Sequence, residues 1–427
     1  MNKKSEISIY DFVNVISEAI DLVSPILNCH HKRVAYIAYK IASKMNLPKD
    51  EIQNIILASM LHDIGAFSIN ERIEDMSPDS HVNDLNQHAL IGYNLLKGYR
   101  PLEKAAELIK SHHTVFNAFA NNTPIGSYII LLADMVAVMF DEQEDILKQI
   151  PGILEKLSLR YHNFHPRSFS VFSSLAKTEY FWIEAFSPVL STGILKKVKF
   201  SEKNFDLQAL REFARVIAQI IDFRSRFTAV HSSGVAAVAH ELTSISGFPE
   251  EECKQMEIAG FLHDFGKLAV PNDILEMDGA IENVEFDSLR KHTYYTYALL
   301  KKINGLEDIA GWAAQHHERQ NSDSYAFHKR GKDSSRLAHV MTVADIMTAL
   351  TEDRPYWRGM SREKTTKILL SMAESNGINK DIVELAYRNF FRINDVRMKA
   401  QQEVQREYQA FHEIANQPLI SGIKQSA

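Results

Sequence analysis

The chain has 427 residues, with 48 Lys and Arg against 54 Asp and Glu, so its formal net charge is −6. Apolar residues make up 45% and charged residues 24%, values that exclude global disorder and are ordinary for a globular protein with a full core. The negative balance argues against a broad basic surface for long nucleic acid.

Other whole-chain properties limit the location of the protein. No apolar run approaches the ~18 residues that cross a bilayer, and the best candidate, 125–140, contains Asp134. The N-terminal residues are charged and lack the apolar stretch of a signal peptide. Cys29 and Cys253 form no CxxC pair, which argues against a disulfide framework. We therefore expect a cytoplasmic protein with reduced thiols and no membrane partner.

Helical periodicity recurs along the chain. In 34–42 the apolar residues fall on one helical face, and an apolar helical run (LLADMVAVM) follows around Asp134. The second half of the chain shows the same two patterns. Residues 211–221 (REFARVIAQII) have apolar residues on one helical face, and an apolar helical run surrounds Asp345 (TVADIMTAL). The charged tail from Met398 onward is expected to be an exposed helix. These patterns predict an all-α protein.

An internal repeat organises the chain. In each half, 32 residues separate a first histidine from a His-Asp pair, and 24 residues separate a later histidine from a double histidine. An Ala-Asp in an apolar run then follows. The first set is His30, His62, Asp63, His88, His112, His113 and Asp134, and the second is His231, His263, Asp264, His292, His316, His317 and Asp345. We predict a duplicated domain, with copies at 1–200 and 201–427 joined through the polar segment 190–206.

These residue types suit a metal site. Imidazole and carboxylate groups are ligands for Fe, Mn or Zn, and a bridging carboxylate can hold two metals about 3.5–4 Å apart. Such a pair lowers the pKa of a bound water and stabilises a phosphoryl group under attack. A single histidine on an apolar helix is more often a core or surface residue, but the ordered and repeated set favours a two-metal site in the second copy.

The second copy resembles an HD-GYP domain, a branch of the HD-domain metal-dependent phosphohydrolases, from about residue 222 to 360. The matching strings are FTAVHSSGVA (227–236), LHDFGKLAVPNDIL (262–275), QHHER (315–319) and VADIMTALTEDRPY (343–356). The resemblance implies two tandem helical HD-type domains. It also implies hydrolysis of a bacterial cyclic dinucleotide, either cyclic di-GMP or cyclic GMP-AMP.

The resemblance also implies roles for individual residues. The seven polar residues of the second set match metal ligands, with Asp264 as the bridging carboxylate. Lys267 matches a lysine that contacts the scissile phosphate, Arg354 falls at a basic phosphate contact, and Tyr325 belongs to the substrate pocket. Alternatively, Lys267 is a surface lysine and Arg354 is structural. Phe227 stands where some members have a Glu that supports a third metal, so two divalent ions, Fe or Mn, are expected.

The second copy departs from the family signature HHExxDGxGYP, since residues 316–326 are HHERQNSDSYA. Glu318 and Tyr325 are kept. The replacements of Asp, two Gly and Pro are, in order, Asn321, Ser322, Ser324 and Ala326. The lost glycines and proline remove positive-φ options and a fixed φ, so we predict a changed loop shape. Thr348 also stands where the family has Asp. Substrate identity is therefore open.

The first copy lacks parts of this machinery. Ala66 takes the place of the lysine, and Thr114 replaces the Glu after the double histidine. Only 22 residues separate His112 from Asp134, against 29 from His316 to Asp345. Two interpretations remain: a metal-binding copy, or a decayed one whose polar residues satisfy each other. We predict a regulatory, dimerising or metal-sensing role rather than catalysis.

The leading hypothesis is a metal-dependent phosphodiesterase that opens a cyclic dinucleotide. One alternative is a non-catalytic signalling module that binds a metal or a nucleotide. Another is a phosphohydrolase acting on a different nucleotide. A homodimer is left open as the oligomeric state.

Overall fold

The structure is a computed structural model. It describes residues 7–22, 29–66, 82–118, 122–198, 200, 206–223, 230–275, 277, 283–321, 324–329, 333–353 and 358–415. The chain divides into two compact units. The first unit comprises Pro25–Glu202 and Ala410–Ala427, and the second comprises Met1–Ser24 and Lys203–Gln409.

The described part of the chain contains α-helices and short 3-10 helices and no strand, so the all-α prediction is confirmed. The α-helices up to residue 200 are α1 (Ile9–Asp21), α2 (His30–Lys44), α3 (Lys49–Leu61), α4 (Val82–Leu96), α5 (Glu103–Lys110), α6 (Ile125–Val138), α7 (Ile146–Leu159), α8 (Pro166–Leu175), α9 (Glu179–Phe186) and α10 (Pro188–Leu195). Those that follow are α11 (Leu207–Asp222), α12 (His231–Ile245), α13 (Glu250–Leu262), α14 (Asn272–Leu275), α15 (Asn283–Leu289), α16 (Lys291–Leu300), α17 (Glu307–Ala314), α18 (Arg336–Thr351), α19 (Arg362–Glu374), α20 (Lys380–Arg388) and α21 (Phe390–Ala415). The 3-10 helices are Arg100–Leu102, Tyr161–Asn163 and Phe265–Ala269. None of the described helices combines the length and apolarity needed to cross a membrane.

The core of the first unit forms around α2, which packs against α3 and α6. The apolar residues of 34–42 that define the predicted helical face are all fully buried. Pro124 lies directly before α6, where its fixed φ suits a helix start. The apolar sequence of α6 is buried along most of its length, and Asp134, in the same helix, is half-buried.

The second unit is built in the same way around α12, which packs against α13 and α18. α12 and α13 approach closely at Gly260, where an added Cβ would lie 2.5 Å from the Cα of Ala236. α18 begins at a capping serine, since the hydroxyl of Ser335 accepts a hydrogen bond from the amide of Ala338 at 3.2 Å. These contacts fix the three helices that carry or precede the predicted ligands.

The two units share the order and length of their leading helices. α2 and α12 both have 15 residues and begin with the first histidine of each predicted set. α3 and α13 both have 13 residues and end directly before the His-Asp pair. This agreement is what the internal repeat predicts, although the duplication itself remains an interpretation.

The first helix departs from the predicted division at 1–200 and 201–427. α1 belongs to the second unit, where it contacts α16 and the 3-10 helix Phe265–Ala269. The ring of Phe12 meets that of Phe213 edge-on, with centroids 4.9 Å apart. The physical reason is an apolar face, including Val13, Ile16 and Ile20, that is buried in this unit. The second unit is therefore discontinuous in sequence.

The tail also differs from its prediction. It was expected to be an exposed helix, and α21 does carry exposed charges. However, the side chains of Gln401 and Val404 are buried, as is that of Arg397 directly before the tail. One face of this helix is thus part of the second unit, and the composition of the tail concealed it because charged residues dominate the other face.

Candidate metal centre

The predicted ligands of the second unit lie at helix ends or on core helices. His231 is the first residue of α12, and Asp345 lies within α18. The others are placed as follows: His263 and Asp264 directly after α13, His292 in the first turn of α16, and His316 and His317 just after α17. The structure brings all seven together, and all except the half-buried His317 are buried.

Asp264 lies between two groups of histidines. Its Oδ2 atom is 3.2 Å from the Nε2 atom of His263. Its Oδ1 atom faces the other way, 3.4 Å from the Nε2 of His292 and 3.8 Å from that of His316. Each oxygen of one carboxylate thus faces a different set of imidazoles. This is the geometry that a carboxylate shared by two cations requires.

The remaining ligands complete two groups. The Nε2 atom of His231 lies 3.2 Å from Oδ1 of Asp345. His231, His263 and Asp264 have ligand atoms within 4.8 Å of one another, as do His292, His316 and His317. The donor types, imidazole nitrogen and carboxylate oxygen, suit divalent first-row metals.

The hydrogen bonds of two histidines test whether a cation fits. The Nδ1 atoms of His292 and His316 donate to the carbonyls of Leu289 at 2.6 Å and Ala313 at 2.7 Å. A carbonyl only accepts, so the neutral rings must carry their protons on Nδ1. Their Nε2 atoms, 3.2 Å apart, then face each other as two acceptors. A cation between these acceptors satisfies both.

The charge states agree with this arrangement. Burial lowers the pKa of His292 to about 3 and that of His317 to about 4, so both are neutral near pH 7. Burial opposes ionisation of Asp264, but the charges of His263 and Lys267 hold its pKa well below the usual range. For His231, burial is outweighed by Glu352 and Asp345, which raise its pKa to about 10. Metal binding there would release a proton.

Lys267 lies beside the central carboxylate of the ligand cluster, that of Asp264. Its ammonium nitrogen is 2.6 Å from Oδ2 of Asp264, and its side chain is 19% exposed. Although burial works against the charged form, Asp264 raises the pKa of Lys267, so the ammonium is charged at neutral pH. The alternative of a solvated surface lysine does not fit this position. The ammonium is placed beside the carboxylate that the two histidine groups share.

The altered signature loop is held by Glu318. Its buried carboxylate accepts hydrogen bonds from the amides of Phe327 at 2.8 Å and Lys329 at 2.7 Å. Tyr325 is thereby kept beside the metal ligands, with its ring 5.0 Å from that of His317. The loop therefore has an anchor that does not depend on the lost glycines and proline. Arg354, Phe227 and Ser322 lie outside the described residues.

A cavity of about 350 Å³ opens next to this loop. Its aromatic walls are Tyr297, Trp312 and Phe327, and its charged lining residues are Glu307, Asp308, Asp333 and Lys329. Three carboxylates against one ammonium give this lining a net negative charge, which repels phosphate oxygens. The phosphates of a nucleotide would therefore favour the Lys267 side of the site over this cavity.

The first unit assembles a matching cluster. The two oxygens of Asp63 face the Nε2 atoms of His62 at 3.0 Å and His88 at 3.5 Å. His30 lies 3.2 Å from Asp134. The Nε2 atoms of His88 and His113 are 2.9 Å apart. All seven predicted residues come together here too, around a carboxylate placed like Asp264.

An orphaned atom shows that a cation also fits the first unit. The Nδ1 atom of His112 donates to the carbonyl of Ile109 at 2.7 Å, so its Nε2 is an acceptor. That Nε2 is buried without a hydrogen-bond partner, an arrangement that native proteins usually avoid. Burial lowers the pKa of His112 well below its usual value. The ring is therefore ready to bind a cation rather than a proton.

Two differences from the second unit are visible at this cluster. Ala66, which occupies the place of Lys267, is buried and offers no charge. Thr114 replaces the loop-anchoring Glu318. The first unit thus keeps the ligand set and loses the groups around it that would handle a phosphate.

Sequence reasoning missed two residues. His31 is fully buried, and its Nε2 lies 3.8 Å from Oδ2 of Asp63. Its signal was its position directly after His30. Glu352 is buried with its carboxylate 3.1 Å from Nδ1 of His231. It follows α18 and joins His231 only through the tertiary fold, so spacing did not indicate it.

The chain is similar to known HD-domain proteins. HD domain models match residues 29–139 and 215–382. Over 391 residues the chain is 26% identical to 3'3'-cGAMP-specific phosphodiesterase 1 of Vibrio cholerae, covering 88% of this chain and 90% of that protein. A cyclic di-GMP phosphodiesterase of Pseudomonas aeruginosa is 32% identical over 154 residues, which cover 35% of this chain and 36% of that protein.

A solved structure shares the fold. The crystal structure of a cyclic GMP-AMP-specific phosphodiesterase of Vibrio cholerae matches with a TM-score of 0.60 and 21% identity, covering 88% of this chain and 95% of that one. With one HD domain in each half, the chain is a tandem HD-domain protein. More narrowly, it belongs to the HD-GYP-type phosphodiesterases, so the family resemblance drawn from the motifs is confirmed.

Proposed function

We propose that the second unit hydrolyses a phosphodiester bond of a bacterial cyclic dinucleotide and releases the linear dinucleotide. The observation that carries this proposal is the Asp264 carboxylate, whose two oxygens face two histidine groups while Lys267 lies 2.6 Å away. The relatives are named as phosphodiesterases of 3'3'-cGAMP and of cyclic di-GMP. The relative that aligns with 88% of the chain is the cGAMP-specific one, so 3'3'-cyclic GMP-AMP is our first choice and cyclic di-GMP the second.

Two divalent ions, Fe or Mn, fit the ligand set. One would be held by His231, His263, Asp264 and Asp345, and the other by Asp264, His292, His316 and His317. When bound, such a pair supplies an activated water and neutralises charge on the phosphoryl group.

The chain itself contributes charge and orientation. In the hydrolysis, a water oxygen bonds to phosphorus and the water gives up one proton. The bond from phosphorus to the ribose oxygen breaks, and that oxygen takes up one proton, so the step balances. The Lys267 ammonium offsets negative charge that develops on the phosphoryl oxygens. Tyr325, held over His317 by the Glu318-anchored loop, offers an aromatic ring at the rim for the nucleotide. Arg354 is kept as a proposed phosphate contact from the family resemblance.

For the first unit we propose metal binding without hydrolysis. The buried, unpartnered Nε2 of His112 and the Asp63 carboxylate support a cation there, and His31 adds a nitrogen that the second unit replaces with Ser232. Ala66 offers no cation for a phosphate. A regulatory or metal-sensing role follows from this combination. We keep the cytoplasm as the proposed location, in line with a sequence whose two cysteines form no CxxC pair.

The test is turnover by the full-length protein. Apo protein is loaded with Mn²⁺ or, without oxygen, Fe²⁺, and is given 3'3'-cyclic GMP-AMP, cyclic di-GMP or a nucleoside monophosphate, with products separated by chromatography. We expect a linear dinucleotide from wild type and none from Asp264→Ala.

Each other result points to a different conclusion. Unchanged turnover in Asp264→Ala would refute the assigned site. Metallated protein that cleaves neither cyclic dinucleotide would favour the signalling module. Cleavage of the monophosphate alone would favour a phosphohydrolase of another nucleotide. Light scattering of the same samples tests the homodimer.

A further inference from the structure

Three histidines of the second unit share one way of being oriented. The Nδ1 atoms of His263, His292 and His316 each donate to a carbonyl three residues earlier, at 2.8, 2.6 and 2.7 Å. Each of these carbonyls lies in the last turn of the preceding helix, namely α13, α15 or α17. Carbonyls of a last turn have no partner inside their own helix. Helix ends thus aim these three rings.

His231 is oriented differently. It begins α12, and its Nδ1 atom lies 3.1 Å from both carboxylate oxygens of Glu352. Its Nε2 atom, on the opposite side of the ring, faces Asp345 at 3.2 Å. A proton on Nδ1 that is donated to the carboxylate leaves the Nε2 lone pair directed at the metal centre. Among these four histidines, His231 alone has a carboxylate behind it.

Glu352 is itself held in place. Its side chain is 2% exposed. The amide nitrogen of Gln401, in α21, donates to Oε2 of Glu352 at 3.1 Å and to the carbonyl of Val230 at 3.3 Å. The guanidinium of Arg397 in turn donates to the side-chain oxygen of Gln401. A buried chain of side chains therefore runs from α21 through Glu352 to His231.

We propose that Glu352 is a positioning residue that orients His231 as a metal ligand, and that Gln401 fixes Glu352 from α21. The inference rests on the proposed two-metal function and adds to it a role for the C-terminal helix. A carboxylate behind a metal-binding histidine fixes the ring and its tautomer and raises its basicity. Loss of such a partner costs about 10–100-fold in metal affinity or activity.

The first unit serves as an internal comparison. Glu352 lies seven residues beyond Asp345, and Asp141 lies seven residues beyond Asp134. Asp141 is exposed, and its Oδ1 accepts a hydrogen bond from the amide of Gln143 at 2.8 Å. The equivalent carboxylate is thus bound to its own loop. The carboxylate behind the first histidine is therefore a feature of the second unit, to which we assign catalysis.

The experiment measures Mn²⁺ binding by full-length apo protein. Bound Mn²⁺ is followed by electron paramagnetic resonance, and turnover is measured against free Mn²⁺ to obtain the concentration for half-activation. Glu352→Gln keeps the shape and removes the charge, and Gln401→Ala removes the support. The matched control is Gln402→Ala, on the neighbouring exposed position of α21.

We expect Glu352→Gln to raise the half-activating Mn²⁺ concentration by about 10–100-fold, to weaken the corresponding part of the binding curve, and to recover turnover at high Mn²⁺. Gln401→Ala should raise the half-activating Mn²⁺ concentration and weaken Mn²⁺ binding by a smaller factor. Gln402→Ala should match wild type in both measurements. If circular dichroism shows that Glu352→Gln does not fold, the half-activating Mn²⁺ concentrations of Gln401→Ala and Gln402→Ala are compared instead. A higher concentration for Gln401→Ala alone supports the positioning role, and equal concentrations contradict it.

Two results distinguish this inference from the proposed function. An active wild type with an unchanged Mn²⁺ curve in both Glu352→Gln and Gln401→Ala would overturn the positioning role alone. A wild type that binds Mn²⁺ and never cleaves a cyclic dinucleotide would overturn the proposed function. The binding curves would then still show whether Glu352 orients His231.

Discussion

The first and second units hold the same kind of ligand cluster in different surroundings. Each has a central carboxylate, Asp63 or Asp264, whose oxygens face separate imidazoles. Around Asp264 the second unit adds the half-buried ammonium of Lys267 and a loop anchored by the Glu318 carboxylate. The first unit has a buried Ala and a Thr at these positions. We infer from this difference that the ligand set would define where metals bind, and that the groups around it would decide whether a phosphate is hydrolysed.

Removal of each central carboxylate in turn should separate the roles of the two units. Asp264→Ala should lower turnover more than about 10³-fold, or about 4 kcal/mol of barrier, because both metal groups share this residue. Asp63→Ala should lower bound metal but retain turnover within threefold. Steady-state kinetics and elemental analysis of both variants provide the check. A silent Asp264→Ala, or an inactive but folded Asp63→Ala, would reverse the roles of the two units.

The ammonium provides the next largest effect. Lys267→Met should lower kcat by about 10²–10³-fold because charge on the phosphoryl oxygens is no longer offset, while metal content stays as in wild type. The reciprocal change, Ala66→Lys, should not create activity in an Asp264→Ala background, since the first unit also lacks the loop. Rescue of that background would show that the lysine alone separates the units.

The shared scaffold should respond equally in both units. An added Cβ at Gly266 would lie 1.9 Å from the carbonyl oxygen of His292, and at Gly65 it would lie 2.0 Å from that of His88. Gly266→Ala and Gly65→Ala should each destabilise their unit by about 1–3 kcal/mol. Scanning calorimetry compares them with Gly98→Ala, where an added Cβ meets nothing within 4 Å. Very unequal losses of unfolding free energy in Gly266→Ala and Gly65→Ala would show that the two units do not share an equivalent scaffold.

The smallest effect concerns the loop. Glu318→Gln weakens the hydrogen bonds from the amides of Phe327 and Lys329. We expect KM for the cyclic dinucleotide to rise about tenfold, which corresponds to about 1.4 kcal/mol, with unchanged Mn²⁺ affinity. Thr114→Glu in the first unit is the control and should leave KM as it is. A change in kcat alone would mean that Glu318 acts on the metal ligands instead.

Much of the site could be predicted because short spacings reflect local geometry. The interval from His231 to His263 spans two antiparallel helices, α12 and α13. Because the same interval recurs in the first unit, it indicates that the same helix pair there brings its first histidine and its His-Asp pair together. What escaped prediction depends on tertiary contacts. Glu352 follows α18 and contacts His231 only through the tertiary fold. The apolar face of α1 predicts that this helix is buried, but it does not indicate which of the two units covers it.

The position of α1 in the second unit has a consequence for biosynthesis and for dissection of the protein. Its apolar face, with Phe12 and Ile16, leaves the ribosome about 200 residues before its partner Phe213 in α11 and about 280 residues before α16. The nascent chain must therefore keep that face from aggregating while the intervening unit is made. A gene fragment that starts at residue 201 would lack this helix and would uncover the 3-10 helix that carries Lys267, so fragments intended to isolate the hydrolase need residues 7–22 restored.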